Sequence, residues 1–133
     1  MEALRVLIIE DETLIALLFA EVLTELGHEV CASERTEAGA IAAAARFRPE
    51  LIISDVRLQE GSGITAVNAI LSAGFVAHIF VSGDVIDRKH LHPSAGVLEK
   101  PFQEWQLVQA IERAIEPANI ILGQQHADHI REP

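Results

Sequence analysis

Four short apolar runs along the chain each stop on a polar residue. Val6-Leu7-Ile8-Ile9 ends at Glu10-Asp11, and Leu51-Ile52-Ile53-Ser54 ends at Asp55. Ile79-Phe80-Val81 ends at Ser82, and Val97-Leu98-Glu99 ends at Lys100. Apolar runs this short and without alternation predict strands buried on both faces. Residues 28–32 alternate enough to predict a fifth strand, placed at a sheet edge.

Helical spacing fills the intervals. Ile15, Leu18, Val22 and Leu26 recur on one face of a helix expected over residues 13–26, which Gly27 stops. Thr36 is placed to cap an alanine-rich helix running to Arg48, and Pro49 prevents its continuation. Gly61-Ser62-Gly63 marks a loop before a short helix over residues 64–72. After Ser82 the pattern weakens. Gly83, Asp84, Asp87, Pro93 and Ser94 favour turns, while Val85, Ile86 and Leu91 form too small a stripe to fix a helix. A last helix starts near Gln103 with Trp105, Val108, Ile111 and Ile115 on one face, and Pro117 ends it. Strands alternating with helices imply right-handed crossovers and a doubly wound parallel sheet of the α/β class. Its carboxyl ends form one crevice, so three carboxylates, a hydroxyl and an ammonium gather along one edge.

Composition narrows the reading. With 133 residues, half hydrophobic and 23% charged, one globular domain is expected over residues 1–117. Residues 118–133 then form a C-terminal tail, with no output domain. The tail carries Ile120-Ile121-Leu122, an apolar run suited to covering a patch on this chain or on a second copy. A net charge of −10 argues against nucleic-acid binding, which needs clustered Lys and Arg. No stretch reaches the ~20 apolar residues of a membrane span, and the N-terminus lacks a secretory signal. The single cysteine, Cys31, forbids an internal disulfide and suits a cytoplasmic setting, where it serves as a small apolar side chain. The six histidines show no metal-ligand spacing and are expected at the surface.

Glu10-Asp11, Asp55, Ser82 and Lys100-Pro101-Phe102 resemble, in order and spacing, the receiver domain of bacterial two-component response regulators. The likeness covers roughly residues 4–116. It implies the flavodoxin-like five-stranded sheet with strand order 2-1-3-4-5. It also implies that Asp55 is the phosphoacceptor, that Lys100 and Ser82 hold the phosphoryl oxygens, and that Mg²⁺ binds Glu10, Asp11, Asp55 and the Arg57 backbone carbonyl. Backbone N–H groups of Val56 and Gly83 are further candidate donors. The physical chemistry agrees, because a phosphoryl group entering an acidic pocket needs a divalent cation, and Mg²⁺ prefers oxygen ligands.

The implied partners are a sensor histidine kinase or histidine phosphotransferase, a downstream protein, and a second copy of the chain. Phe80-Val81-Ser82-Gly83 is similar to the Phe-Ala-Thr-Gly sequence of an atypical single-domain subgroup, the FAT GUY regulators. That likeness implies a stand-alone regulator in stress signalling, working through protein contacts or as a phosphate sink. Val97 stands where most receivers carry an aromatic residue, so the familiar inward swing of a ring lacks its ring.

Three other readings compete. Glu10-Asp11-Glu12 would serve as a helix cap if no cluster forms. A small aspartyl-phosphate phosphatase would need a second acid two residues after Asp55, where Arg57 stands. A phosphorylation-independent adaptor would not need Asp55, Asp11 and Lys100 together. A flavin carrier is excluded by the acids, which repel a cofactor phosphate.

Overall fold

A computed structural model describes residues 2–131, with side chains described through residue 125. Five parallel strands form one sheet in the order β2-β1-β3-β4-β5: β1 Arg5–Ile9, β2 Glu29–Glu34, β3 Leu51–Asp55, β4 Ala77–Ser82 and β5 Gly96–Glu99. The register holds the carboxyl ends level, pairing Ile9 with Ser54, Asp55 with Val81, and Ser82 with Glu99. This is the doubly wound, flavodoxin-like order expected from the sequence.

Alternation along the strands separates two cores. Val6, Ile8, Leu51, Ile53, Ile79 and Val81 face α1 (Thr13–Glu25) and α4 (Glu104–Ala114). Leu7, Ile9, Ile52 and Phe80 face α2 (Glu37–Phe47) and α3 (Gly63–Leu71). The central strands therefore bury both of their faces, apolar residues filling most positions and the polar ones gathering at the carboxyl ends except for His78. Thr36 Oγ1 accepts from Gly39 N–H at 3.0 Å, and Arg48 ends α2 in the left-handed region at φ 47°.

Four expectations change. In α1 the buried face is Ala16, Phe19 and Leu23, whereas Leu18 is exposed together with Leu14 and Leu17. In α4 Leu107, Ile111 and Ala114 are buried, and Trp105 is 60% exposed with its indole N–H donated to Gln103 Oε1. Pro117 opens a further helix, α5 (Pro117–Arg131), so the expected tail is helical. Proline suits a first helical turn because its missing N–H has no partner there. Among the residues whose side chains are described, His28 and His78 are buried. His28 Nδ1 accepts from Leu4 N–H at 3.1 Å, and His78 stacks edge-on against Phe80. Burial lowers both imidazole pKa values.

The connection from β4 to β5 contains a single 3-10 turn, Arg88–His90, in place of a crossover helix. Ile86 and Leu91 are its half-buried contributions to the core. The start of β5 is tied down by α5. Asn119 Nδ2 donates to Ser94 O and Ala114 O, Ser94 Oγ donates to Asn119 O, and Ile120 packs on the core. Removing residues 117–133 is therefore expected to cost about 1–2 kcal/mol of buried apolar surface and to lower Tm by about 5 °C. Scanning calorimetry on the full and shortened chains measures this, and an unchanged Tm would show that α5 adds nothing to the fold.

Candidate functional site

The level strand ends bring together the residues singled out in the sequence. Carboxylate oxygens of Glu10, Asp11 and Asp55 lie within 4.8 Å of one another. Lys100 Nζ stands 3.7 Å from Asp55 Oδ2 and 3.9 Å from Glu10 Oε1. Ser82 is buried at the end of β4, and its Oγ accepts from Asp84 N–H at 3.0 Å. The hydroxyl proton faces no assigned acceptor among the described residues. Arg57 lies two residues past Asp55, with its guanidinium 3.4 Å from Asp84 Oδ2 in a pair exposed to solvent.

Local chain geometry explains these positions. Glu12 is the N-cap of α1, yet no side chain caps that helix end. Glu10 Oε2 instead accepts from Glu12 N–H at 3.2 Å, which turns its carboxylate back toward the strand ends. Glu12 itself therefore makes no side-chain cap. Asp11 Oδ2 accepts from Gln59 N–H at 2.5 Å, linking the second acid of the pair to the loop after β3. Gly63 sits so close to the acceptor strand that an added Cβ would collide with Asp55 O. Ser54 Oγ also donates to that carbonyl, at 2.9 Å. The backbone of Asp55 is thus fixed from two directions.

Of the candidate backbone donors, Val56 N–H is committed to Val81 O at 3.2 Å and is not available to a ligand. The Gly83 N–H has no protein acceptor among the described residues. Gln59, Gly63 and the Arg57–Asp84 pair escaped the sequence reading. The one signal for them was Gly61-Ser62-Gly63, which marked the turn without saying what it approached.

Electrostatics fit a cation. Glu10 is buried, and its carboxyl is pushed up to about 7, first by loss of water and then by Asp55, with the Glu12 N–H and Lys100 opposing. Three carboxylates facing one ammonium leave an excess of negative charge, and oxygen donors suit a hard divalent ion.

The response regulator receiver domain profile matches residues 6–112. The chain belongs to the response regulator receiver domain family, whose members are signalling domains. It is 35% identical over 115 residues to the transcriptional regulatory protein PdtaR of Mycobacterium tuberculosis, covering 84% of this chain and 56% of that protein. It is 38% identical over 119 residues to the phyllosphere-induced regulator PhyR of Methylorubrum extorquens, covering 85% and 44%. The chain thus spans about half the length of these relatives. Among solved structures, the PhyR receiver domain of Erythrobacter litoralis superposes with a TM-score of 0.73 at 32% identity, covering 86% and 92% of the two chains. No helix among the described residues is long and apolar enough to cross a membrane.

The raised Glu10 pKa sets a pH dependence. Its carboxyl binds a proton more tightly folded than unfolded, so between pH ~4.5 and ~7 the folded state holds more protons. Stability without divalent cation is expected to fall as pH rises through that window, and Glu10→Gln to flatten the slope. Urea denaturation at several pH values in a chelator checks it.

Proposed function

We propose that Asp55 accepts a phosphoryl group from a phosphohistidine of a sensor histidine kinase or histidine phosphotransferase. The observation that carries this reading is Lys100 Nζ poised between Asp55 and Glu10, beside a third carboxylate. An Asp55 oxygen attacks phosphorus, the P–N bond breaks, and an acyl phosphate forms as imidazole leaves. Lys100 then pairs with the new phosphoryl oxygens and Ser82 donates its hydroxyl proton to one of them. Glu10, Asp11, Asp55 and the Arg57 carbonyl would hold Mg²⁺, which supplies charge neutralisation at the transferring group.

A docking partner must bring its phosphohistidine to the crevice beside α1. The exposed Leu14, Leu17 and Leu18 on that helix give such a partner an apolar surface. The related PhyR of Bartonella quintana is described as an anti-anti-sigma factor. By that similarity we read this chain as a stress-signalling receiver that acts through protein contacts, as the FAT GUY likeness also implies.

Treatment with a small phosphodonor and Mg²⁺ is expected to add one phosphoryl mass, lost with chelator and in Asp55→Asn. Intact-mass spectrometry reads both, and an equal yield from Asp55→Asn would sink the assignment. Ser82 and Lys100 flank residues 83–95, so a shared phosphoryl ligand is expected to restrain that connection. Amide exchange across residues 84–91 should slow with a phosphoryl mimic and Mg²⁺. Unchanged exchange there, with protection around Asp55, would remove this readout while leaving the acceptor role in place.

A further inference from the structure

At the amino end of the sheet, away from the acidic edge, two imidazoles meet. His78, the second residue of β4, is 1% exposed. Its Nδ1 lies 2.8 Å from Val76 O, which can only accept, so Nδ1 carries the proton. Its Nε2 is then a bare lone pair, with no hydrogen-bond partner among the described residues. The rings of Phe75, Phe80 and His92 stand around it at centroid distances of 6.0, 5.6 and 5.9 Å. His92 takes the other tautomer when neutral. Its Nδ1 accepts from Ser94 N–H at 3.1 Å, which leaves the proton on Nε2.

Both imidazoles lie one link from α5. Ser94 is buried, its Oγ donates to Asn119 O, and Asn119 Nδ2 donates back to Ser94 O. One turn further along α5, Gly123 lies so close to Phe75 that an added Cβ would collide with the ring. Phe75 in turn packs on both His78 and His92. The helix is therefore seated on the imidazole pair at two points, through Phe75 and through Ser94.

The surroundings do not favour an imidazolium. Ile52 of β3 pairs with His78, α3 has no titratable residue, and the buried residues of α2 are alanines. α5 carries no titratable side chain up to Gln125; His126, Asp128 and His129 follow beyond the described side chains. Past the Ser94–Asn119 junction the charged groups are Arg88, Lys100, Arg113 and Glu99, three cations to one acid. On the other side of Phe75 the charged group is Arg48. Burial, opposed by the Val76 carbonyl, holds the His78 pKa below its ordinary 6.5.

We propose that the His78–His92 pair is an acid-operated latch for α5. Protonating His92 puts an N–H where Nδ1 accepted, which sets it against the Ser94 N–H and loosens the Ser94–Asn119 junction. Protonating His78 puts an N–H without an acceptor among aromatic rings, which favours an arrangement that admits water. Either step lifts α5 from Phe75. His78 binds a proton more tightly with the helix released, so the seated form loses stability as pH falls below 6.5. The sign is opposite to that of Glu10, at the other end of the sheet. Release frees Phe75, which also lines an apolar groove of about 410 Å³ between α2 and α3.

The test compares amide exchange of the full chain at about pH 7.5 and about pH 5.5, corrected for intrinsic rates. Protection of residues 119–124 should fall about tenfold or more on acidification, with β3 still protected. In the double variant His78→Asn, His92→Asn, side-chain amides replace both ring hydrogen bonds without titrating, and the acid loss should disappear. Where that variant does not fold, ring-carbon shifts of the wild-type histidines decide, and His78 or His92 should titrate with the midpoint of α5 release. Unchanged exchange over residues 119–124, an equal loss in the double variant, or release while both rings stay neutral overturns the proposal. So does parallel loss of protection in β3, which would make the event global unfolding. No phosphodonor is present, so none of these outcomes bears on phosphorylation of Asp55.

Discussion

The ammonium of Lys100 offsets an electrostatic debt that the rest of the fold creates. Parallel strands ending level put Asp55 and the acids after β1 at one edge, and burial strips water from Glu10. Lys100, reaching from the end of β5, is the basic side chain that pairs with both Asp55 and Glu10. One ammonium does not balance three carboxylates, and the Glu10 pKa is raised first by loss of water on burial and then by Asp55, against the pull of Lys100. The same excess of carboxylates makes the crevice suited to a cation and an incoming phosphoryl group.

The sequence was most legible where one physical cause dominated. Buried strands show as unbroken apolar runs, and their polar last residues mark the crevice, so the sheet order and clustered acids agree with expectation. Helix phase was harder to read where apolar residues lie all round. Leu14-Ile15-Ala16-Leu17-Leu18-Phe19 offers several stripes, and packing chose the one with small Ala16 and aromatic Phe19, leaving three leucines in solvent. In α4 the large Trp105 drew attention that belonged to Leu107. Pro117 served equally as a stop and a start, and only the bonds of Asn119 to Ser94 and Ala114 distinguish them.

Side-chain environment was legible only in part. His78 sits in a strand whose neighbours are all apolar, and its burial follows from that position rather than from its polarity. The Val56 N–H, which the site pattern offers as a ligand donor, is spent on joining β3 to β4. Such commitments depend on register, which no single segment encodes. Kinship with PdtaR and PhyR places the chain in a signalling family.

Gly63 gives the acceptor an immovable seat. With the helix backbone pressed against the Asp55 carbonyl, the main chain at that point has nowhere to retreat when charge arrives on the side chain. Any displacement must pass to parts that still have room. On one side the sheet is closed by β1 and α1; on the other, the crossover from Ser82 to Lys100 is anchored at its ends and thinly packed between them. The arrangement resembles a vice with one fixed jaw, in which a small change at the grip moves only the compliant arm.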